Sequence, residues 1–297
     1  MKRETDIPVL VVFGATASGK TALAGTLFAS DSTSPLDRFR GRAEVVSADS
    51  MQVYRGMDIG TAKPDAAFLK TLPHHLIDIC DPREQFCAGD FVRLADEACA
   101  DIHSRGKLPV VLGGTAFYIR NFLYGLPETP ESDPDVRLRL QERMKAEGAA
   151  ALMRELSAVD PVSAERINIR DEYRILRALE VYAASGRPLS SYGLSASLRA
   201  GRRFLALSLD RPREVLYSRI GLRVDRMFAD GLVDEFAALV RSGCGPADPG
   251  LQAIGYREFF QACGEGGIPR DGTELEKVID LVKADSRKYA KRQETFI

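Results

Sequence analysis

The residues best suited to chemistry form a glycine-rich segment that ends in lysine and threonine. It matches the pattern G-x-x-x-x-G-K-[ST] and consists of Gly14, Ala15, Thr16, Ala17, Ser18, Gly19, Lys20 and Thr21. An apolar run precedes it and helix-forming residues follow, which is the strand–loop–helix context that the pattern requires. The N–H groups of such a loop converge on phosphate oxygens, and the helix N-terminus adds a positive dipole end. The segment predicts a phosphate-chain site, with Lys20 on the outer phosphate and the Thr21 hydroxyl on Mg²⁺.

Two further polar turns follow apolar runs of the strand type. Asp49 comes directly after residues 43–47, and Gly113-Gly114-Thr115 comes after residues 108–112. The carboxyl ends of parallel strands meet at one edge of a sheet, so both turns are predicted to face the phosphate loop. Asp49 then suits a general base or a water-mediated Mg²⁺ ligand, the alternative being a turn or capping aspartate. Paired glycines let a ligand approach the backbone, the alternative being a structural turn.

Two rows of basic residues are candidates for contact with a polyanion. Arg166, Arg170, Arg174 and Arg177 recur at helical spacing, and a second row lies near the C-terminus at Lys283, Arg287, Lys288, Lys291 and Arg292. Such rows suit phosphate oxygens, although a solvated surface is the alternative interpretation. The three histidines lack the spacing of a Cys/His metal site, so the sequence predicts no zinc site.

The elements that must position these residues follow an alternating pattern. Apolar runs at 8–13, 43–47, 75–79, 108–112 and 204–209 predict buried parallel strands, and helical patterns such as 89–104 separate several of them. This predicts an α/β fold, a P-loop NTPase-like parallel sheet flanked by helices. Strand patterns are absent between residue 127 and about residue 201. We therefore predict a catalytic core of residues 1–127 and 201–297 with an all-helical insertion domain at 128–200.

Bulk properties are those of an ordinary soluble globular protein. The 297 residues carry a formal net charge of −1, so a nucleic acid would have to be held by local basic patches. The five cysteines form no C-x-x-C pair, and the N-terminal residues do not resemble a signal peptide. No apolar stretch is long enough for a membrane span. These features predict a cytoplasmic protein with free thiols.

Taken together, these motifs resemble those of the bacterial tRNA dimethylallyltransferases, the tRNA isopentenyltransferase family. The phosphate loop is similar, and the block SADSMQVYRGMDIGTAKP at 47–64 matches the family's most distinctive segment. Further matching segments occur in the family's order, namely HHLIDI at 74–79, GGT at 113–115, RILRALEV at 174–181, AIGYR at 253–257 and AKRQ at 290–293. The resemblance spans almost the whole chain.

The resemblance implies a tRNA-modifying reaction. A dimethylallyl group would pass from dimethylallyl diphosphate to N6 of adenosine 37, beside the tRNA anticodon, and diphosphate would be released. The implied partners are dimethylallyl diphosphate and the anticodon stem-loop of tRNA, the implied cofactor is Mg²⁺, and the expected state is a monomer. By the same resemblance the catalytic residues are Asp49, Lys20, Thr115 and Arg223.

The resemblance also implies tRNA contacts along several segments. The residues are Asp49, Ser50, Met51, Gln52, Thr115, Arg137, Tyr173, Arg174, Ile175, Leu176, Arg177, Gln252, Gly255, Tyr256, Arg257, Lys291, Arg292 and Gln293, with the tail continuing to Phe296. The sequence departs from the family pattern in two places. Ala15 stands where proline is usual, and Phe296 stands where the family carries tryptophan, which this chain lacks entirely.

Two other functions fit parts of the pattern. A P-loop kinase of a nucleotide or small metabolite would use Lys20, Asp49 and a mobile helical lid for phosphoryl transfer. A non-catalytic RNA-binding module would use the loop as a nucleotide switch. The long helical insertion and separate basic rows favour a large polyanion over a small kinase substrate, and the presence of Lys20, Thr21 and Asp49 favours catalysis.

Overall fold

The computed structural model describes residues 6–34, 39–193, 195–264 and 266–296. Within them, five parallel strands form one sheet in the order β3-β2-β4-β1-β5. The strands are β1 Ile7–Gly14, β2 Ala43–Ala48, β3 His74–His75, β4 Leu108–Gly113 and β5 Arg202–Leu209. The predicted P-loop-type α/β fold is confirmed: β1 lies beside β4 with Phe13 opposite Gly113, and β2 lies on the other side of β4 with Ala48 opposite Gly113.

Helices cover the sheet and connect its strands. They are α1 Lys20–Phe28, α2 Ala66–Thr71, α3 Ala88–Ser104, α4 Ala116–Tyr124, α5 Pro134–Glu147, α6 Ala149–Val159, α7 Pro161–Arg166, α8 Glu172–Ser185, α9 Arg213–Ala229, α10 Leu232–Arg241, α11 Arg257–Cys263 and α12 Gly272–Phe296. None of them, in the part of the chain that the structure describes, combines the length and apolar character needed to cross a bilayer.

The central strands are buried on both faces, which explains their continuous apolar sequences. Alternate residues of β1 enter different hydrophobic clusters, with Val9 and Val11 in one and Leu10 and Val12 in the other. The second cluster includes Phe28 of α1, whereas the first is larger and includes side chains of α3, α4 and α9–α12. A rigid sheet covered by helices on both sides therefore carries the strand ends.

Two predicted strands differ from the observed ones. The strand predicted at 75–79 is observed only as His74–His75, because Leu76 and Asp78 adopt left-handed backbone angles, with φ of 63° and 57°, and leave the ladder. The strand predicted at 204–209 forms but lies at the sheet edge, pairing with β1 alone. Its Leu205 is 61% exposed, so the prediction that this strand is buried is wrong.

The chain divides into two compact units, Met1–Leu123 with Arg199–Ile297, and Tyr124–Leu198. The second unit is helical, and α5–α8 enclose a core that includes Leu152, Leu156 and Ile175. The sequence placed the corresponding limits at 128 and 200, a few residues away. Helix α4 continues without a break to Tyr124. The predicted boundary rests on the loss of the strand pattern, which does not show where a helix ends.

Candidate active site

The phosphate loop joins β1 to α1 through a backbone that only some residues tolerate. Gly19 precedes the helix with a φ of 102°, and Ala17 has a φ of 61°. A Cβ on Gly14 would lie 2.8 Å from the carbonyl oxygen of Leu209, so the first glycine is required by close packing against β5. The loop thus forms at the carboxyl end of a central strand, with the N-terminus of α1 behind it.

The side chain of Lys20 is held against the phosphate loop by carbonyl groups of the loop itself. Its Nζ donates hydrogen bonds to the carbonyl oxygens of Gly14 and Ala15, each at 2.8 Å. Burial lowers the pKa of the Lys20 ammonium to about 8, while nearby Asp49 acts to raise it and nearby Arg223 to lower it. A partly desolvated lysine that is still protonated below about pH 8 is well suited to binding an anion.

Arg223 of α9 brings a second cation to the same loop. Its Nη1 donates to the hydroxyl oxygen of Thr16 at 3.0 Å, and its Nη2 donates to the carbonyl oxygen of Thr61 at 3.5 Å. Burial lowers the pKa of the guanidinium below its usual value, although the Asp49 carboxylate opposes this effect. Two cations and one carboxylate therefore interact within a single site.

Asp49 and Thr115 follow β2 and β4 at one edge of the sheet, as the sequence predicts, and the structure shows that these two strands are neighbours. One carboxylate oxygen of Asp49 accepts a hydrogen bond from the Met51 N–H at 2.9 Å, so the side chain also shapes the turn after β2. Thr115 Oγ1 accepts a hydrogen bond from the Ser50 N–H at 3.0 Å and ties the two strand ends together. A Cβ on Gly113 would lie 2.1 Å from the Ala48 carbonyl oxygen, which explains the first glycine of the pair.

A cavity of about 970 Å³ lies in the first unit at this edge of the sheet. Lys20, Thr21, Asp49 and Arg223 line it, whereas Thr115, predicted to be catalytic, does not. Apolar side chains form another part of the wall, namely those of Ile59, Ala62, Leu69, Ile77, Leu222 and Met227. The cavity therefore offers cations and loop amides for a phosphate chain, together with an apolar surface and a carboxylate.

The donor set at the cavity fits Mg²⁺ held jointly with phosphate. Thr21 at the start of α1 has an exposed side chain and lines the cavity, as does Asp49. Among the described residues, no group of three or more histidine, cysteine, aspartate or glutamate side chains could hold a metal ion. Mg²⁺ often keeps several waters and binds through one carboxylate plus substrate phosphates, which suits this sparse oxygen set.

Several predicted tRNA contacts in the first unit are contradicted by burial. Tyr256 is 0% exposed, and its hydroxyl donates to Glu235 at 2.6 Å, so its side chain cannot reach a nucleic acid. Gly255 is also buried, whereas Gln252 is exposed. Arg257 pairs with Asp285 at 2.6 Å. These contacts make segment 253–257 chiefly a packing motif.

At the tail of the first unit, Lys291 and Arg292 are exposed and remain candidates for tRNA contact, as do the half-buried Ser50, Met51 and Gln52. Gln293 is only 4% exposed, and both ends of its amide bind the protein backbone, which contradicts its predicted role as a tRNA contact. The side chain of Phe296 lies outside the described residues.

In the second unit, too, some of the predicted tRNA contacts are buried and others are exposed. Ile175 and Leu176 belong to its hydrophobic core, so their predicted tRNA contacts are wrong. Tyr173 and Arg174 are exposed. Arg137 and Arg177 both pair with the buried Glu180, at 3.2 and 3.3 Å. Their first role is therefore to compensate a buried carboxylate, which the spacing of the arginine row does not reveal.

Glu235 is a site residue that the sequence does not identify. Its carboxylate accepts hydrogen bonds from the N–H groups of Asp58, Ile59 and Gly60, at 2.8, 2.7 and 3.0 Å. It thereby fixes the loop that carries part of the cavity wall. On the sequence, a glutamate in the first turn of an amphipathic helix is indistinguishable from a solvated one.

The lowered pKa of Lys20 gives a testable pH dependence. Lys20 is protonated below about pH 8, and only the ammonium attracts an anion, so affinity for inorganic pyrophosphate is expected to fall as pH rises through 8. The fall should approach about tenfold per pH unit. Titration calorimetry from pH 7 to 9.5 measures it. Lys20→Arg, which stays charged throughout, corrects for ionisation of pyrophosphate itself; equal pH profiles for the two proteins would rule out control by Lys20.

Comparison with known proteins identifies the family. The sequence matches the family described as IPP transferase over residues 52–297. It is 44% identical over 300 residues to a tRNA dimethylallyltransferase of Geotalea daltonii, covering 100% of this chain and 86% of the relative. It is 43% identical over 298 residues to the tRNA dimethylallyltransferase of Geobacter metallireducens, covering 100% of this chain and 91% of the relative.

Solved structures agree. The full-length tRNA isopentenylpyrophosphate transferase of Bacillus halodurans matches with a TM-score of 0.62 and 37% identity, covering 97% of this chain and 86% of that one. A eukaryotic dimethylallyltransferase described as acting on tRNA matches with a TM-score of 0.75 and 27% identity, covering 96% of this chain and 68% of that one. Matches of this extent place the chain in the IPP transferase family.

Proposed function

We propose that this protein transfers a dimethylallyl group from dimethylallyl diphosphate to N6 of adenosine 37 in tRNA and releases diphosphate. The observation that carries the proposal is the meeting of Lys20, Arg223 and Asp49 in one cavity with an apolar wall. Relatives at 44% and 43% identity are tRNA dimethylallyltransferases, which agrees with this chemistry. The kinase alternative is not favoured, because the matching proteins transfer prenyl groups.

The cations of the loop serve the leaving group. As the bond between the allylic carbon and the diphosphate oxygen breaks, its electron pair moves to the diphosphate and positive charge develops on the allyl group. Lys20, the loop amides and Arg223 stabilise the growing negative charge where it forms. Thr21 would hold Mg²⁺ together with the substrate phosphates, and the ion would supply Lewis-acid stabilisation of the same charge.

Asp49 serves the acceptor. The exocyclic amine of adenine is a weak nucleophile, so alignment with the allylic carbon matters more than basicity. When N6 bonds to that carbon it must lose a proton, and Asp49 is the carboxylate in the cavity placed beside the cations. Extruding the adenine from its stack costs a few kcal/mol, which favours a loop base over a paired one.

The remaining assignments follow from this reaction. The substrates are dimethylallyl diphosphate and the anticodon stem-loop of tRNA, the cofactor is Mg²⁺, and the helical unit at 124–198 contacts tRNA through its exposed basic side chains. We propose a monomer that works in the cytoplasm, where the free thiols of the five cysteines are stable.

A comparison of two sets of labelled substrates tests the proposal. The protein is incubated with labelled dimethylallyl diphosphate and unmodified tRNA, and separately with labelled ATP and candidate nucleotide acceptors. We expect label in tRNA only, and none in a tRNA that carries guanosine at position 37. Phosphorylation of a nucleotide without prenyl transfer would establish the kinase alternative instead.

Arg174 and Arg177 are expected to behave differently although they share one helix. Arg174 is exposed and its partner Asp171 lies on the surface, so Arg174→Ala should weaken binding to all tRNAs and reduce the salt slope by up to about one unit. Arg177→Ala should instead destabilise the fold by roughly 1–3 kcal/mol, because it strips one partner from the buried Glu180. Salt-dependent tRNA binding and thermal melting decide; an unchanged slope for Arg174→Ala would refute its tRNA contact.

A further inference from the structure

The side-chain amide of Gln293 connects two catalytic segments that are far apart in sequence. Its Oε1 accepts a hydrogen bond from the Thr16 N–H of the phosphate loop at 2.8 Å. Its Nε2 donates to the carbonyl oxygen of Gly114, after β4, at 2.6 Å. The residue lines the cavity but is only 4% exposed. Both polar ends of its amide are hydrogen-bonded to the protein backbone.

The position of this amide is set by helix α12 rather than by its own hydrogen bonds. Val282 and Ala290 of the helix are buried in the main core. Lys283 pairs with Asp225 at 2.5 Å, and Asp285 pairs with Arg257 at 2.6 Å. A substitution at residue 293 therefore leaves the helix anchored along its length, and its effect on the cavity can be measured in a folded protein.

Each end of the amide binds the backbone of a residue that lines the cavity, Thr16 or Gly114. Thr16, held through its N–H, presents the hydroxyl that accepts a hydrogen bond from Arg223. Gly114 directly precedes Thr115, and Tyr289 contacts both Thr115 and Gln293 through its hydroxyl. A Cβ on Gly114 would lie 2.4 Å from Gln293 Nε2, so the second glycine of the pair provides the space for this contact.

We propose that Gln293 is a positioning residue that fixes the distance between the phosphate loop and the end of β4, and does not bind tRNA. The proposal rests on the proposed prenyl transfer. An amide is required because one side chain must accept and donate at once. Glutamate accepts from Thr16 but repels the Gly114 carbonyl oxygen and adds negative charge beside the leaving group, and methionine has the same length but forms neither bond.

The test compares Gln293→Met and Gln293→Glu with wild type, and uses the same two substitutions at Gln261, an exposed residue of α11 outside the cavity, as matched controls. We expect both variants to lose 10- to 100-fold in kcat at saturating tRNA and to bind inorganic pyrophosphate about tenfold more weakly, since loop geometry sets both. Their tRNA affinity and the salt slope of that affinity should equal those of wild type.

Gly114→Ala tests the same contact from the other side, because its Cβ displaces the amide while residue 293 is intact. It should reproduce the loss of pyrophosphate affinity. Weaker tRNA binding with unchanged kcat and pyrophosphate affinity would make Gln293 a tRNA contact and overturn the proposal, as would wild-type kinetics in Gln293→Met. Absence of prenyl transfer by wild type would refute the proposed function alone, since pyrophosphate binding still reports on the contact.

Discussion

Replacing Lys20 with alanine is expected to lower turnover by two or more orders of magnitude. In the proposed reaction the ammonium stabilises the leaving diphosphate from a partly desolvated site, where one well-placed donor is worth about 3–4 kcal/mol in the transition state. Binding of tRNA should be unchanged, because its candidate contacts lie on other segments. Single-turnover rates with labelled dimethylallyl diphosphate, together with separate tRNA binding, measure both quantities.

The control must separate lost charge from a damaged loop, since Lys20 also binds the carbonyl oxygens of Gly14 and Ala15. Lys20→Arg retains the charge and donors and should keep more activity than Lys20→Ala. Lys70→Ala removes an exposed lysine from α2 and should be neutral. Near-full activity of Lys20→Ala would mean that the loop does not hold the diphosphate.

Replacing Asp49 with asparagine is expected to lower the rate by about 10²–10⁴, with little change in diphosphate affinity. The amide oxygen can still accept the hydrogen bond from the Met51 N–H, so the turn after β2 is retained. What is lost is the carboxylate that we propose takes the proton from N6 of the adenine. The pH dependence of single-turnover rates reports this loss directly.

Asp234→Asn is the matched control, because it removes the same charge from an exposed position of the same unit outside the cavity. Asp49→Ala removes the turn contact as well and should be worse than Asp49→Asn. If Asp49→Asn instead loses Mg²⁺-dependent diphosphate binding at an unchanged maximal rate, Asp49 serves the metal and not the proton.

Much of the fold can be predicted from the sequence because the central strands are buried on both faces. Residues 8–13 and 108–112 are continuous apolar runs, residues 43–47 are apolar apart from Glu44 and Ser47, and each segment forms a strand within one residue of the predicted limits. The pattern fails where tertiary context decides. The apolar run at 75–79 contains two residues with positive φ, and the run at 204–209 lies at an edge, which composition does not register.

The site is predictable where local sequence determines its geometry. The phosphate loop, Asp49 and the Gly113-Gly114 pair all follow strands, so topology brings them together. The order of strands and loops does not predict which polar side chains are buried. Tyr256 and Gln293 belong to motifs that resemble tRNA contacts, yet their partners come from distant segments of the first unit.

The contact between Gln293 and Thr16 has a consequence for synthesis of the chain. The two residues are 277 positions apart, so the loop acquires this hydrogen bond only after translation has reached the last turn of α12. At common elongation rates that interval is roughly 15–55 s. A chain that has not yet reached residue 293 can pair β1 with β4 but lacks this bond, and its phosphate loop is therefore expected to be less well positioned than in the finished protein.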